Sequence, residues 1–167
     1  MYLYRFLIEF RKGKKVKIKS DTELSGRENE QELICVGAGS SDLTRDFQTI
    51  ARPRIEFGQA IQRGTQLFGL NIHDRQTIET WTANRIDDYG LIIRWKNPRN
   101  SNADIFIIAG LGPSGTAAAG YYLSNKWKEI YDYLKRTNAF NKNYEVLIKT
   151  KRTDHTYTTL IKIVTVD

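Results

Sequence analysis

Twice in this chain a short apolar run stops at glycines and gives way to helical periodicity, and few folds can use that order. Leu33-Ile34-Cys35-Val36 ends at Gly37-Ala38-Gly39, after which Leu43, Phe47 and Ile50 lie on one helical face. Ile105-Phe106-Ile107-Ile108 ends at Gly110-Leu111-Gly112-Pro113-Ser114-Gly115, after which Leu123, Trp127, Ile130 and Leu134 do the same. Apolar runs this short read as strands covered on both faces, and the spacing that follows reads as an amphipathic helix. Ser40 or Ser41 is a good N-cap for the first helix, and Pro53 ends it. Repeated strand-to-helix order predicts an α/β domain with a mainly parallel sheet and flanking helices.

The remaining elements fit around these two units. Residues 67–72 and 77–82 predict a β-hairpin insertion turning near His73 to Gln76, while 54–66 carries no clear pattern. Residues 89–96 predict a strand closed by the turn sequence Asn97-Pro98-Arg99-Asn100. Residues 116–135 read as one long helix, and 144–149 and 157–166 as two late strands. The domain then spans residues 33–167, preceded by an acidic linker over 21–32.

Residues 1–20 form a separate arm. They hold seven basic side chains and one acid, which is +6 of the chain's formal +7. Lys15-Val16-Lys17-Ile18-Lys19 alternates with period two, so the arm reads as a β-hairpin or lysine-protected edge strand, with a helix over 2–10 as the competing reading. Contact of these lysines and of Tyr2, Tyr4 and Phe6 with nucleic acid is the less favoured use of the same charge.

Composition removes other classes. No apolar stretch approaches the roughly 20 residues a membrane-spanning helix needs. A single cysteine, Cys35, excludes a disulfide framework, and with only His73 and His155 beside it a Cys/His zinc site lacks ligands. The expectation is a cytoplasmic protein without membrane, metal or cofactor.

Chemistry points first to the glycine loops. In open α/β sheets ligands bind beyond the C-terminal ends of parallel strands, where glycine lets backbone approach a ligand and a helix N-terminus favours anionic oxygen. Gly37, Gly39, Ser40, Gly112, Gly115 and Thr116 are therefore candidate ligand contacts. Gly110, Gly112 and Gly115 match the dinucleotide pattern G-x-G-x-x-G, but the next strand ends in Lys149, Lys151 and Arg152 where a nicotinamide site wants an acid. That disfavours a dehydrogenase and leaves Lys149 to face an anionic ligand; tight turns alone also account for the glycines. In a parallel sheet Asn97 would lie at the ligand end and Asp88 at the other, although Asp87 and Asp88 together are a candidate acid/base pair or simply an acidic turn. There is no G-x-S-x-G elbow and no P-loop.

Two resemblances add to this. Asp88-Tyr89-Gly90-Leu91-Ile92, Asn97-Pro98, Ile107-Ile108-Ala109-Gly110 and Gly115-Thr116-Ala117-Ala118-Ala119 together resemble a Rossmann-like (flavodoxin-like) module of prokaryotic signalling and antiviral defence proteins, broadly akin to TIR and SLOG domains. The resemblance covers about residues 33–134. It implies recognition, or cleavage, of a nucleotide-like small molecule by a domain that is fused to a larger protein or forms homo-oligomers. Without a clearly placed catalytic glutamate it implies a sensor more than an enzyme. Arg54-Ile55-Glu56-Phe57-Gly58 followed by Arg63-Gly64 loosely resembles the glutamate segment of nucleoside deoxyribosyltransferase-like folds, which implies Glu56 on a helix and an N-glycosidase or NADase using Glu56 or Asp88. A surface glutamate is the plainer account. A third possibility is an interaction or oligomerisation module without a small-molecule ligand.

Overall fold

Two turns decide the architecture, because a parallel neighbour needs a crossover of a dozen residues and an antiparallel one needs only two. In a computed structural model, which describes residues 31–37, 42–62 and 65–167, only Pro98-Arg99 separate β5 from β6 and only Arg152-Thr153 separate β7 from β8. The strands are β1 (Leu33–Val36), β2 (Ile55–Gln62), β3 (Thr65–Asp74), β4 (Thr80–Trp81), β5 (Asp87–Asn97), β6 (Asn100–Gly110), β7 (Asn143–Lys151) and β8 (Asp154–Val166). The helices, numbered here among the described residues, are α1 (Asp42–Ala51), α2 (Pro113–Asn125) and α3 (Trp127–Arg136).

The main sheet has the order β1-β6-β5-β7-β8, and only the β1/β6 pair is parallel. The mainly parallel, Rossmann-like sheet is thereby corrected to a mixed, mostly antiparallel one. The apolar runs misled because they report that both faces are covered, and helices or a second sheet can cover an antiparallel sheet equally well. Leu91, Ile93, Ile107 and Leu147 pack with Phe47 of α1 and with Ile55, Phe57 and Ile72 of a second sheet. Ile92, Ile108, Val146 and Ile148 pack with Ala118, Ala119 and Tyr122 of α2 and Ile130 and Leu134 of α3. Three layers result.

The second sheet, ordered β2-β3-β4, is antiparallel throughout. The expected hairpin is present in β3 and β4, paired through Ile72↔Trp81 and His73↔Thr80. Its longest partner, β2, comes from the stretch whose sequence showed no pattern. The single helix expected over 116–135 is two, meeting at Lys126. Side-chain bonds to the backbone compete with helix there: the Ser124 hydroxyl donates to the Gly120 carbonyl at 2.6 Å and Asn125 Nδ2 to that of Tyr121 at 3.0 Å. The break turns Trp127 out to 37% exposure instead of onto the buried stripe. The β-hairpin or edge strand expected over 1–20, and all of the acidic linker but Gln31 and Glu32, lie outside the described residues. No helix among those described is long and apolar enough to cross a membrane.

A polar clamp fixes the second sheet to the first. Glu145, fully buried in β7, accepts from the Arg54 amide at 2.9 Å, the Ile55 amide at 2.6 Å and Trp95 Nε1 at 3.2 Å. Burial pushes its carboxyl up to about 7 against the opposing pull of those donors. A carboxyl raised above its unfolded value stabilises the fold fully below about pH 4.5 and loses that contribution as pH rises through its folded value. Unfolding free energy from urea titrations is expected to fall by about 2 kcal/mol between pH 5 and 7.5, and Glu145→Gln to flatten the dependence. An equally steep profile in the variant would assign it elsewhere.

Candidate ligand crevice

The parallel pair creates the one place in the described main sheet where two strands end side by side. β1 and β6 run in register from Leu33↔Ile105 to Val36↔Ile108, and the Gly37 amide then donates to the Ile108 carbonyl at 2.9 Å. Gly37 has φ 108°, in the left-handed region that disfavours a side chain. The helices that follow part company: α1 packs on one face of the sheet and α2 on the other. Strand ends flanked by helices leaving to opposite faces form the crevice in which α/β sheets hold ligands. Thr44, fully buried on α1, ties its hydroxyl to the Gly37 carbonyl at 3.0 Å. Gly39 and Ser40 lie outside the described residues.

On the other side of the crevice, α2 is drawn tightly onto the sheet. A Cβ on Gly115 would stand 2.1 Å from the Tyr89 carbonyl, and one on Gly90 would stand 2.4 Å from the Gly115 carbonyl. The sequence stretches around Gly90 and Gly115-Thr116-Ala117-Ala118-Ala119 are thus two halves of one contact, a glycine in a strand under the small residues of a helix. Gly112 approaches the Asp88 carboxylate so closely that a Cβ would meet Oδ2 at 2.7 Å.

Asp88 explains the loop's electrostatics. Because β5 is antiparallel to β6, with Gly90↔Gly110 in register, Asp88 sits at the glycine end and not at the far end. Its buried carboxylate accepts from the Tyr89 amide and the Gly115 amide, both at 2.8 Å. It therefore neutralises the positive end of α2 with a side chain of the chain itself. Pro113 has no amide to give, and the Thr116 amide and hydroxyl both go to the Gly112 carbonyl. The α2 end consequently offers a ligand less anion-binding capacity than its glycines suggest.

The other candidates separate. Lys149 and Lys151 share Asp87, at 2.7 and 2.9 Å, at the glycine end of β7 and β5. Those bonds hold the Asp87 carboxyl below the usual carboxylate range and raise Lys149. Asn97 is at the opposite end of the sheet, against the expectation for a parallel strand. It is buried in the β5–β6 turn, with Nδ2 donating to the Gln31 carbonyl and Oδ1 accepting the Arg99 amide. Glu56 lies on β2, a strand where the resemblance implied a helix. It faces His73 Nε2 at 3.2 Å and Arg75 Nε at 3.7 Å, in the second sheet, apart from Asp88. Gly37, Gly110, Gly112, Gly115, Thr116, Asp88 and Lys149 are collected at one end; Asn97 and Glu56 are not.

Three features escaped the sequence reading. Glu145 lies unmarked inside the strand read at 144–149, and Arg54, Asp74 and Lys162 are scattered over more than a hundred positions. Arg54 and Lys162 converge on the buried Asp74 carboxylate, at 2.9 and 2.8 Å. Gln48 is only 4% exposed, and neither atom of its amide has a hydrogen-bond partner among the described residues. The sequence carried no signal for it, since Gln48 lies off the stripe formed by Leu43, Phe47 and Ile50. No family model matches the chain, and neither a curated protein nor a solved structure does.

Proposed function

We propose that this domain recognises a small nucleotide-derived molecule in the crevice between Gly37 and the 110–116 loop, as a sensing or regulatory module. The supporting observation is the split between β1 and β6, where adjacent parallel strands end together and their helices leave to opposite faces. Gly37 gives close backbone approach, while Gly112, Gly115 and Thr116 shape the facing wall. Lys149 supplies positive charge at the same end, shared with Asp87. With Asp88 occupying the α2 terminus, recognition leans on the polar body of the ligand more than on its phosphate. The hydrolase alternative has weaker support, since Glu56 and Asp88 are each engaged in contacts of their own on separate sheets.

Thermal unfolding against AMP, cyclic AMP, NAD and ADP-ribose tests the proposal. A ligand at a hundred times its Kd adds about 2.7 kcal/mol, which raises Tm by several degrees, and Gly37→Val should remove the rise. A panel without any response in the wild-type protein would sink it. Chromatography of the same mixtures reports free base, the outcome that would favour the hydrolase.

A further inference from the structure

The helix break at Lys126 has a second effect, because it builds an aromatic surface. Trp127 and Tyr131, one turn apart on α3, meet edge to face with ring centroids 5.9 Å apart. Asn138, at φ 51°, then closes α3 in a Schellman turn, its amide on the Lys135 carbonyl at 3.3 Å and the Ala139 amide on that of Leu134 at 2.8 Å. The turn buries Ala139 and lays Phe140 beside Tyr131, with centroids 5.1 Å apart. Trp127, Tyr131 and Phe140 are 37%, 43% and 42% exposed, so each keeps a large part of its surface toward solvent. Exposed aromatics scattered singly need no explanation, but three in mutual contact form one patch.

Charge decides what such a patch fits. Lys128 and Lys135 flank Tyr131, three residues before it and four after, and both are exposed and without an ion-pair partner among the described residues. Over residues 126–142 five basic side chains stand against Glu129 and Asp132, a net of +3. Glu129 is itself engaged by the Tyr122 hydroxyl, which donates to it at 2.7 Å, and Lys142 is shared with Asp167. Aromatic faces stack on bases of any sequence while lysines beside them take the phosphates; a duplex hides its base faces and offers only the second contact. A proline-rich peptide would use the rings and leave the lysines idle, and a second copy of the chain would set this basic rim against itself. We propose that the α3 patch binds single-stranded nucleic acid, with Trp127, Tyr131 and Phe140 stacking on bases and Lys128 and Lys135 contacting the backbone. The patch is independent of the crevice: Phe140 stands just before β7, whose first residue, Asn143, accepts the Lys96 amide at the Asn97 end of the sheet.

Fluorescence anisotropy of the full chain with a labelled oligodeoxythymidylate of about 15 nucleotides tests this. The single strand should bind more tightly than a duplex of the same length, and Tyr131→Ala and Phe140→Ala should each weaken it about ten-fold. Lys128→Gln combined with Lys135→Gln should lower the slope of log K against log salt by about 1.4, from two phosphates at about 0.7 each. The strand should also quench tryptophan emission, and Trp127→Phe should remove the quenching while the strand still binds. Both lysines lie on the solvated face of α3, so their slope decides the matter even where an aromatic variant fails to fold. An unchanged slope, or unchanged affinity in folded aromatic variants, would place binding on another basic surface and overturn the assignment. Absence of binding at low salt, or a duplex held as tightly as the single strand, would overturn it too. A proline-rich peptide that binds wild type and is lost with Tyr131, where the strand is not, would reassign the patch to peptide.

Discussion

Asp74→Ala is expected to lower the unfolding free energy by about 3 kcal/mol, in the range for breaking a buried ion pair by removing one partner. The carboxylate is fully buried, takes Arg54 through Nε and Nη2, accepts the Gln76 amide at 2.9 Å, and meets Lys162 from β8. Removing it takes the buried partner that Arg54 and Lys162 share, and leaves Lys162 only Glu79, at 2.5 Å, among the described carboxylates. Burial alone would raise the Asp74 carboxyl, but the hydrogen bonds from Arg54 and Lys162 outweigh it and hold the group well below the usual carboxylate range. A depressed carboxyl contributes stability that is present above its unfolded value and lost as pH falls. The wild type should therefore lose this contribution below about pH 4, while Asp74→Asn should show a flatter acid limb. Urea unfolding at pH 6 and pH 3 measures both effects. A loss under 1 kcal/mol in Asp74→Ala would show that solvent already supports the two cations.

Gly115→Ala should be at least as damaging, by about 3 kcal/mol or more, because the new methyl meets main chain and no side chain can swing away. At 2.1 Å from the Tyr89 carbonyl the Cβ would force α2 off β5, and the Asp88 bond to the Gly115 amide would go with it. Gly120→Ala on the same helix is the control, since a Cβ there meets nothing within 4 Å. Equilibrium unfolding of the two variants should separate them by the whole effect, and Gly120→Ala should even gain a few tenths of a kcal/mol or more from helix propensity. Similar stabilities would mean that α2 has room to move.

Element positions were legible in the sequence to a useful degree. β1 was placed at 33–36 by its apolar run, and β5, β6, β7 and β8 were found with shorter bounds. Pairing directions were not, although Pro98-Arg99 and Arg152-Thr153 between strands carried that information in their brevity alone. β2 was missed because its alternation is interrupted: its register with β3 shifts between Phe57 and Gln59. Of the site, the glycines and Asp88 were legible as types and misread as partners. Nothing in a linear reading says that Asp88 and Gly115, 27 residues apart, form one hydrogen bond. Asn97 went to the wrong end for the same reason as the fold, since an antiparallel β5 exchanges the two ends of that strand. Glu145 and Asp74 had no local mark at all, because burial of a carboxylate is a property of what packs around it.

The crevice also has a place in the order in which the chain folds. β5 with β6, and β7 with β8, are hairpins whose pairing starts from two-residue turns, so closing them costs little chain entropy. β1 pairs only with β6 among the described strands, across about 70 residues. Such a loop closes against a larger entropic cost, repaid by four strand residues and by the packing of Phe47 of α1. The wall that carries Gly37 and Thr44 is therefore expected to form after the sheet it completes, and a molecule held between the two walls would act as a late fastener on the finished fold.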